Sequence, residues 1–339
     1  MNSSALGIGI VGTGFIAGVI AEAIGKAKSA TLAAVSSRRL ETAHGFVAQY
    51  QGAAAVQGIG DLLSRADVGA IYIATPSVAK EEIALAAIAA GKHILIDKPF
   101  VSHASISRIT QAAAARGVAI MDATHFVHHP RTAAIQRAIP ERVGSPRSLH
   151  TSFYFPIEDR ANIRFDPKQE PLTALGDMGW YAMRAIVEYL QPRGRISKVA
   201  TAAERDPATT AILRASGLIA FESGEVSTYD VGFTAGTVLM DFQLVGTKGV
   251  IGMDDFVLDW SESFAFKKKE IAIGYTHRAG MATRADFTFI PTLAEMPQEV
   301  AMIENFAALA SSGDATARAA YSDATLKTQE YLDAVWAAA

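Results

Sequence analysis

Apolar runs and amphipathic stretches alternate through the first third of the chain. Ala5-Leu6-Gly7-Ile8-Gly9-Ile10-Val11 reads as an apolar strand, and Gly12-Thr13-Gly14 as a tight turn. Ile16, Val19, Ile20, Ala23 and Ile24 then follow at helical spacing, one apolar face of a helix. Thr31–Ser36 predicts a second strand and Leu40–Tyr50 a helix. Ala70–Ala74 is a continuous apolar run of the kind buried on both faces of a parallel sheet, closed by Thr75-Pro76. Val78–Ala90 predicts a helix with Ser77 as its cap and Gly91 as its stop. A strand at His93–Ile96, a helix at Ser105–Ala115 and a strand at Val118–Met121 complete a doubly wound α/β unit.

Beyond about residue 125 the period changes. Residues 145–156 and 195–275 hold β-rich runs punctuated by Ser223-Gly224, Ala235-Gly236 and Lys248-Gly249. Helical patterns return only at 173–190, 297–311 and 322–337. The expected architecture is therefore a Rossmann-type α/β domain over residues 1–125 and an α+β domain over 126–339. The second is built on a large, mostly antiparallel open-faced sheet that binds substrate and oligomerises. The apolar alternation Val231, Phe233, Val238, Met240, Phe242 marks a surface for a homodimer or a dimer of dimers.

Composition narrows the function classes. A length of 339 residues suits two domains, and a net charge of −3 gives no basic field for nucleic acid. The chain has no cysteine, so thiolate catalysis, disulfides and thiolate metal sites are excluded, in keeping with cytoplasmic residence. Residues 1–21 are uncharged but lack the basic start of a signal peptide. No apolar run has the ~18 residues of a membrane span. The reading is a soluble, unprocessed protein with a small-molecule substrate.

The chemistry gathers at strand ends. Gly12-Thr13-Gly14-Phe15-Ile16-Ala17 has the G-x-G-x-x-A spacing of a dinucleotide turn: Gly12 permits the bend, Gly14 a close approach of pyrophosphate, and the next helix offers its N-terminus. Phe15 and Ile16 flank that contact. At the end of the second strand Ser36, Ser37 and Arg38, with Arg39 next, stand where an acidic residue would bind the ribose of NAD. Hydroxyl and guanidinium donors suit a 2′-phosphate, so NADP(H) is expected over NAD(H), which remains possible. Thr75, Pro76, Asp97 and Lys98 lie at the ends of the next strands, facing the same ligand.

An ammonium at Lys98 can bond a substrate hydroxyl and favour its deprotonation. On a helix Asp177 and Tyr181 are i and i+4, with Arg184 and Glu188 continuing the stripe. Tyr181 is either a proton donor and acceptor whose phenol a nearby cation makes more acidic, or a half-buried packing residue. Asp177 likewise either orients that tyrosine or complements a helix dipole. His125, His128 and His129 form the only histidine cluster, with too few carboxylates nearby to suggest a metal. They and Arg164 are candidates for substrate contact.

These segments resemble the glucose–fructose oxidoreductase/inositol dehydrogenase (Gfo/Idh/MocA) family. The match includes GTGFIA, VSSRRLETAHGFVAQY, AIYIATPSVAKEEIALAAIAAGKHILIDKPF, HFVHHPRT, NIRFDP and LGDMGWYAMRAI. The resemblance implies an active site made of Lys98 with Asp177 and Tyr181. The tyrosine variant is similar to the dihydrodiol and D-xylose dehydrogenases, and Ser-Arg after the second strand to the NADP-using members. It also implies contacts to substrate from the segment holding the histidines. Three positions depart from the family pattern: Asp97 for glutamate, Ser77 for asparagine and Lys80 for histidine. The function so implied is NADP-dependent hydride transfer to or from a sugar, polyol or cyclic diol. The other reading is a non-enzymatic NADP-binding sensor or co-repressor on the same fold. A short-chain dehydrogenase is excluded because no Tyr-x-x-x-Lys occurs.

Overall fold

The first sheet is parallel throughout and runs β3-β2-β1-β4-β5-β6 in space. It belongs to a computed structural model that describes residues 5–267, 269–283 and 285–339. Its strands are β1 (Leu6–Val11), β2 (Ala30–Ser37), β3 (Ala54–Gln57), β4 (Ala70–Ile73), β5 (His93–Ile96) and β6 (Ile120–Asp122). The connecting helices are α1 (Phe15–Lys26), α2 (Leu40–Val47), α3 (Gly58–Ser64), α4 (Ser77–Ala89) and α5 (His103–Arg116). The strand order reverses between β1 and β4, the switch point where such sheets bind ligands. Ile8, Ile10, Ile71, Ile73, Ile94, Leu95 and Ile96 are wholly buried, as a sheet covered on both faces requires. Ser102 caps α5 by accepting from Ser105 N–H, and Gly117 ends it in the left-handed conformation.

Three local expectations change. The strand β3 and the helix α3 were not legible, because Ala54–Gln57 is short and Gly58-Ile59-Gly60 is a poor helix start. Ser77 does not cap α4: Pro76 holds that position, and the serine hydroxyl donates to the carbonyl of Pro99 at 3.3 Å. The expected boundary at residue 125 also shifts. The first compact unit comprises residues 1–128 together with 298–326, and the second comprises 129–297 and 327–339. Helix α9 (Gln298–Ser312) thus packs within the first unit, against α1 and the turn His125–His128. Glu304 supports that packing by accepting from Lys28 N–H and from the Ser29 hydroxyl. The boundary in the last helix, α10 (Ala315–Ala337), falls after Leu326.

The second unit carries an eight-stranded sheet, ordered β14-β13-β12-β11-β7-β10-β9-β8. In chain order the strands are β7 (Pro146–Tyr154), β8 (Ile196–Arg205), β9 (Ile212–Phe221), β10 (Val226–Gly232), β11 (Leu239–Gly246), β12 (Val250–Met253), β13 (Gly274–Arg278) and β14 (Thr288–Pro291). Among the described strands of this sheet, β7 and β10 pair in parallel and the other neighbours are antiparallel. Helix α6 (Pro130–Ala138) precedes the sheet. The stretch expected as one helix over 173–190 is broken into α7 (Thr173–Asp177), α8 (Gly179–Ala185) and a wider turn at Ile186–Leu190. Gly176 and Gly179 flank the break and weaken the helix there.

Of the five residues expected at a dimer surface, Val238 is half-buried and the other four lie in the unit's own core. Val231, Phe233, Met240 and Phe242 are at most 2% exposed. Phe242 packs edge-on against Tyr189 at 4.9 Å between ring centroids, and Phe233 against Phe165 at 5.4 Å. The apolar alternation marks the face covered by the unit's own helices. The opposite face carries His150, Arg214, Asp241 and Gln243 as exposed residues. Alternation shows that one face is covered without showing by what.

A buried ion pair ties α6 to the segment after β12. Arg131 Nη1 lies 2.5 Å from Asp255 Oδ1, and Nη2 donates to the Asp255 carbonyl at 2.7 Å, with both residues under 5% exposed. Removing one partner strands the other's charge. Arg131→Met is therefore expected to destabilise the protein by ~3–5 kcal/mol, and Asp255→Leu added to it to restore most of that loss. Urea unfolding midpoints of the two variants and the parent test this.

Candidate active site

All the strands of the first sheet point one way, so Gly12, Ser37, Thr75, Lys98 and His125 follow strand ends at one edge. Gly12 has φ +113°, and a Cβ there would stand 2.7 Å from the Ala74 carbonyl oxygen, so only glycine fits. Gly14 is the N-cap of α1 and lends no side chain to it; a Cβ at Gly14 would meet nothing within 4 Å. The first turn of α1 thus opens onto free space, a cradle for a pyrophosphate. Phe15 beside it is 72% exposed and Ile16 half-buried.

At the end of β2 the donors separate. Ser36 is buried and its hydroxyl donates to the Gly58 carbonyl at 2.7 Å, so this side chain serves the β3–α3 turn. Ser37 is half-buried, and Arg38 and Arg39 are exposed. Thr75 Oγ1 is buried without a hydrogen-bond partner among the described residues, a donor left for a ligand beside Pro76.

Lys98 follows β5 in a segment whose Asp97 N–H extends the sheet ladder to Ile73 at 3.0 Å. Its peptide bond to Pro99 is cis. Behind the segment stands Lys80, 2% exposed, whose Nζ donates to the Lys98 and Pro99 carbonyls at 3.1 and 2.9 Å. Sequence reasoning noted Lys80 only as a departure. The available signal was its place on the buried face of α4 with Ala84, Ala87 and Ile88, where a lysine is out of pattern.

The histidine cluster divides. His125 is buried, and the amide Nε2 of Gln298 lies 2.8 Å from its Nδ1. Donation from that amide places the ring proton on Nε2. Burial first, then the positive fields of Lys98 and His128, push His125 down to about 3, so it is neutral at working pH. His128 is bonded by Asn305 Nδ2 at 2.9 Å and stacks on Tyr321. His129 accepts from Arg131 N–H at the start of α6 and faces Asp259 at 3.6 Å. His128 and His129 are thus engaged within their own units, and His125 lies within the field of Lys98.

In the second unit Asp177 ends α7, 8% exposed, and accepts from Arg164 Nε at 2.5 Å. Asn162 shapes the turn carrying that arginine by accepting from Arg164 N–H at 3.1 Å. Two residues singled out separately are therefore one ion pair, which anchors the connection between β7 and α7. Tyr181 is 6% exposed on α8, its ring edge-on to Phe153 at 5.2 Å. Arg184 pairs with Glu188 at 2.7 Å, closing the far end of the polar stripe.

The depressed His125 gives a measurable signature. Unfolded, the imidazole takes a proton below its ordinary 6.5; folded, it does so only near 3. Its contribution is present above 6.5 and is lost as pH falls. Relative to His125→Asn, the parent is expected to lose stability below pH 6.5 with a slope approaching ~1.4 kcal/mol per pH unit. Urea midpoints at pH 7, 6, 5 and 4 measure it.

Comparison with known proteins identifies the family and the fold. Residues 6–124 match the model of an oxidoreductase family with an NAD-binding Rossmann fold, and residues 133–252 match the GFO/IDH/MocA C-terminal domain. A dTDP-3,4-didehydro-2,6-dideoxy-α-D-glucose 3-reductase from Actinomadura kijaniata is 33% identical over 187 residues, 54% of this chain and 56% of that protein. An NADP(+)-dependent scyllo-inositol 2-dehydrogenase from Bacillus subtilis is 29% identical over 145 residues, 42% of this chain and 44% of its own. The chain thus spans about half the length of these curated relatives. Over 99% of the chain the fold is similar to a crystal structure of a 3-ketoreductase from A. kijaniata in complex with NADP and TDP-benzene. There the TM-score is 0.86 at 22% identity, covering 98% of that protein. With both halves matched in order, the chain belongs to the Gfo/Idh/MocA family.

Proposed function

We propose that the protein is an NADP-dependent oxidoreductase that interconverts a carbinol and a carbonyl on a sugar, polyol or cyclic diol. The observation that carries the reading is Lys98, set at the same sheet edge as the open Gly12–Gly14 cradle and beside the neutral His125. When bound, the nicotinamide supplies the hydride acceptor or donor. The chain binds and orients through α1, Ser37, Arg38 and Thr75. Lys98 bonds the reacting oxygen and stabilises negative charge on it, and Tyr181 takes or returns its proton. Asp177, held by Arg164, orients the hydroxyls around that centre. His125, protonated on Nε2, is a neutral donor that does not add to the positive field of Lys98.

Support for NADP over NAD comes from Arg38 and Ser37 and from NADP(+)-dependent relatives such as the B. subtilis inositol dehydrogenase. A sensor on the same fold would need the cradle but no proton-handling residues. Oxidation of NADPH against a panel of keto-sugars, aldoses, inosose and cyclic diketones, with the reverse reaction on the alcohols, separates the two. A bound but never oxidised cofactor would mark a sensor.

Arg38→Ala is expected to weaken NADPH binding tenfold to a hundredfold, as loss of a charge-assisted phosphate contact of ~1.5–3 kcal/mol implies, and to leave NADH binding unchanged. Fluorescence titration of both cofactors measures this, and equal affinities in the parent would count against NADP preference.

Lys98→Met and Tyr181→Phe are each expected to lower kcat by ~10²–10⁴ while cofactor affinity holds, the range for a positioned acid–base group. In the double variant the losses should not multiply, because two groups acting on one proton fail as a unit. Steady-state kinetics over the pH range reads this. Full activity in Tyr181→Phe would return that residue to packing against Phe153.

A further inference from the structure

We propose that Lys80 is a positioning residue for the reaction: its buried ammonium holds the two carbonyls that set where the Lys98 side chain leaves the backbone. The sequence places a lysine in the first turn of α4, on the face that also carries Ala84, Ala87 and Ile88 into the core. A charge taken there loses its water and is tolerated only if its donors are satisfied. Lysine has three, and three acceptors surround it. Nζ donates to the carbonyl of Pro99 at 2.9 Å, to that of Lys98 at 3.1 Å and to Ser77 Oγ at 3.4 Å. Ser77 Oγ donates in turn to the Pro99 carbonyl at 3.3 Å.

The acceptors matter as much as the donor. The ladder of β5 continues through Asp97 N–H to Ile73, and the carbonyls of Lys98 and Pro99 lie beyond the end of the strand. Phe100 follows at 1% exposure and α5 starts at His103. The segment 97–102 is therefore pinned at one end by the sheet, at the other by Phe100, and between them by Lys80. A methionine at position 80 would fill the same space with no desolvation penalty, yet leave both carbonyls without this donor. The two departures at 77 and 80 are thus one device, since both side chains converge on the same peptide. Chemistry at Lys98 depends on the direction of its Nζ, and a displacement of about 1 Å at a reacting group costs on the order of 10²-fold in rate.

The kinetic arm of the test rests on the oxidoreductase reading; a second arm does not. The chain has no cysteine, so Lys80→Cys can be alkylated at one site. Unfolded protein treated with 2-bromoethylamine and refolded regains an ammonium on a thioether stem of lysine length. Treatment with methyl methanethiosulfonate gives an uncharged control. Lys80→Met is expected to lower kcat by ~10–100-fold while NADPH affinity stays within about twofold, a split that loss of stability alone does not produce. Amide hydrogen exchange over residues 97–102 of the cofactor-free protein is expected to rise at least ~10-fold, as the segment opens locally. The aminoethylated protein should recover both readouts, and the methylthio form neither. Lys80→Gln, which keeps N–H donors on a shorter stem, is the second variant if Lys80→Met does not fold, and an intermediate loss is expected of it. Unchanged exchange and kcat in a folded Lys80→Met or Lys80→Gln, or an aminoethylated protein no better than its methylthio control, would overturn the proposal. Exchange that responds as expected in a parent that turns over no substrate would support the pin and refute the oxidoreductase reading.

Discussion

Two-sided burial of the parallel sheet is the constraint from which the rest follows. Ile8 and Ile10 in β1, Ile71 and Ile73 in β4, and Ile94, Leu95 and Ile96 in β5 lose all contact with water. At roughly 25 cal/mol per Å² of apolar surface, these side chains are a main source of the unit's stability. Helices that cover both faces are crossover connections between parallel strands, which no hairpin can join, and they align every strand. Alignment sends every chain exit to one edge. The glycine turn, the donors at Ser37 and Arg38, Thr75, Lys98 and His125 are consequences of that geometry before they are a site.

Buried polar groups then fix the exits that packing leaves loose. Three recur on the same plan: Lys80 on the carbonyls of 98 and 99, Arg131 on Asp255 and its carbonyl, and Arg164 on Asp177. In the first two a long cationic side chain from a helix seizes an oxygen on a loop, and in the third an arginine on a loop seizes the carboxylate at the end of α7. Such contacts add little net stability, because desolvation consumes much of the attraction, but breaking one leaves an unpaired group in the interior. Their worth is positional. The more exposed Arg164 pair belongs to a residue proposed to face substrate, and the enclosed Lys80 and Arg131 contacts to residues behind the loops they hold.

The relatives bound the chemistry more than the substrate. A nucleotide-linked keto-sugar and a free inositol are named for proteins of about 30% identity to this chain. The Arg164–Asp177 pair lies in the second unit of this chain. Fold alone does not select among these substrates.

Period and punctuation in the sequence determined a doubly wound parallel sheet with a glycine turn at its first exit, and a mainly antiparallel second sheet. These are local properties: burial on both faces writes continuous apolar runs, burial on one face writes alternation, and glycine marks a bend. Lys98 at a strand end, and Asp177 and Tyr181 at i and i+4, were legible as candidates, with their roles implied by the family resemblance. Tertiary structure alone decided what those patterns meet. The alternation through Val231 and Phe242 covers the unit's own core instead of offering a dimer face, since alternation reports that a face is buried and never by which partner. Residues 298–326 join the first unit although they follow the second in sequence, and Ser36 turns to Gly58 instead of outward. Asp177 meets Arg164 across 13 positions and Lys80 reaches Lys98 across 18, separations at which no periodicity carries a signal.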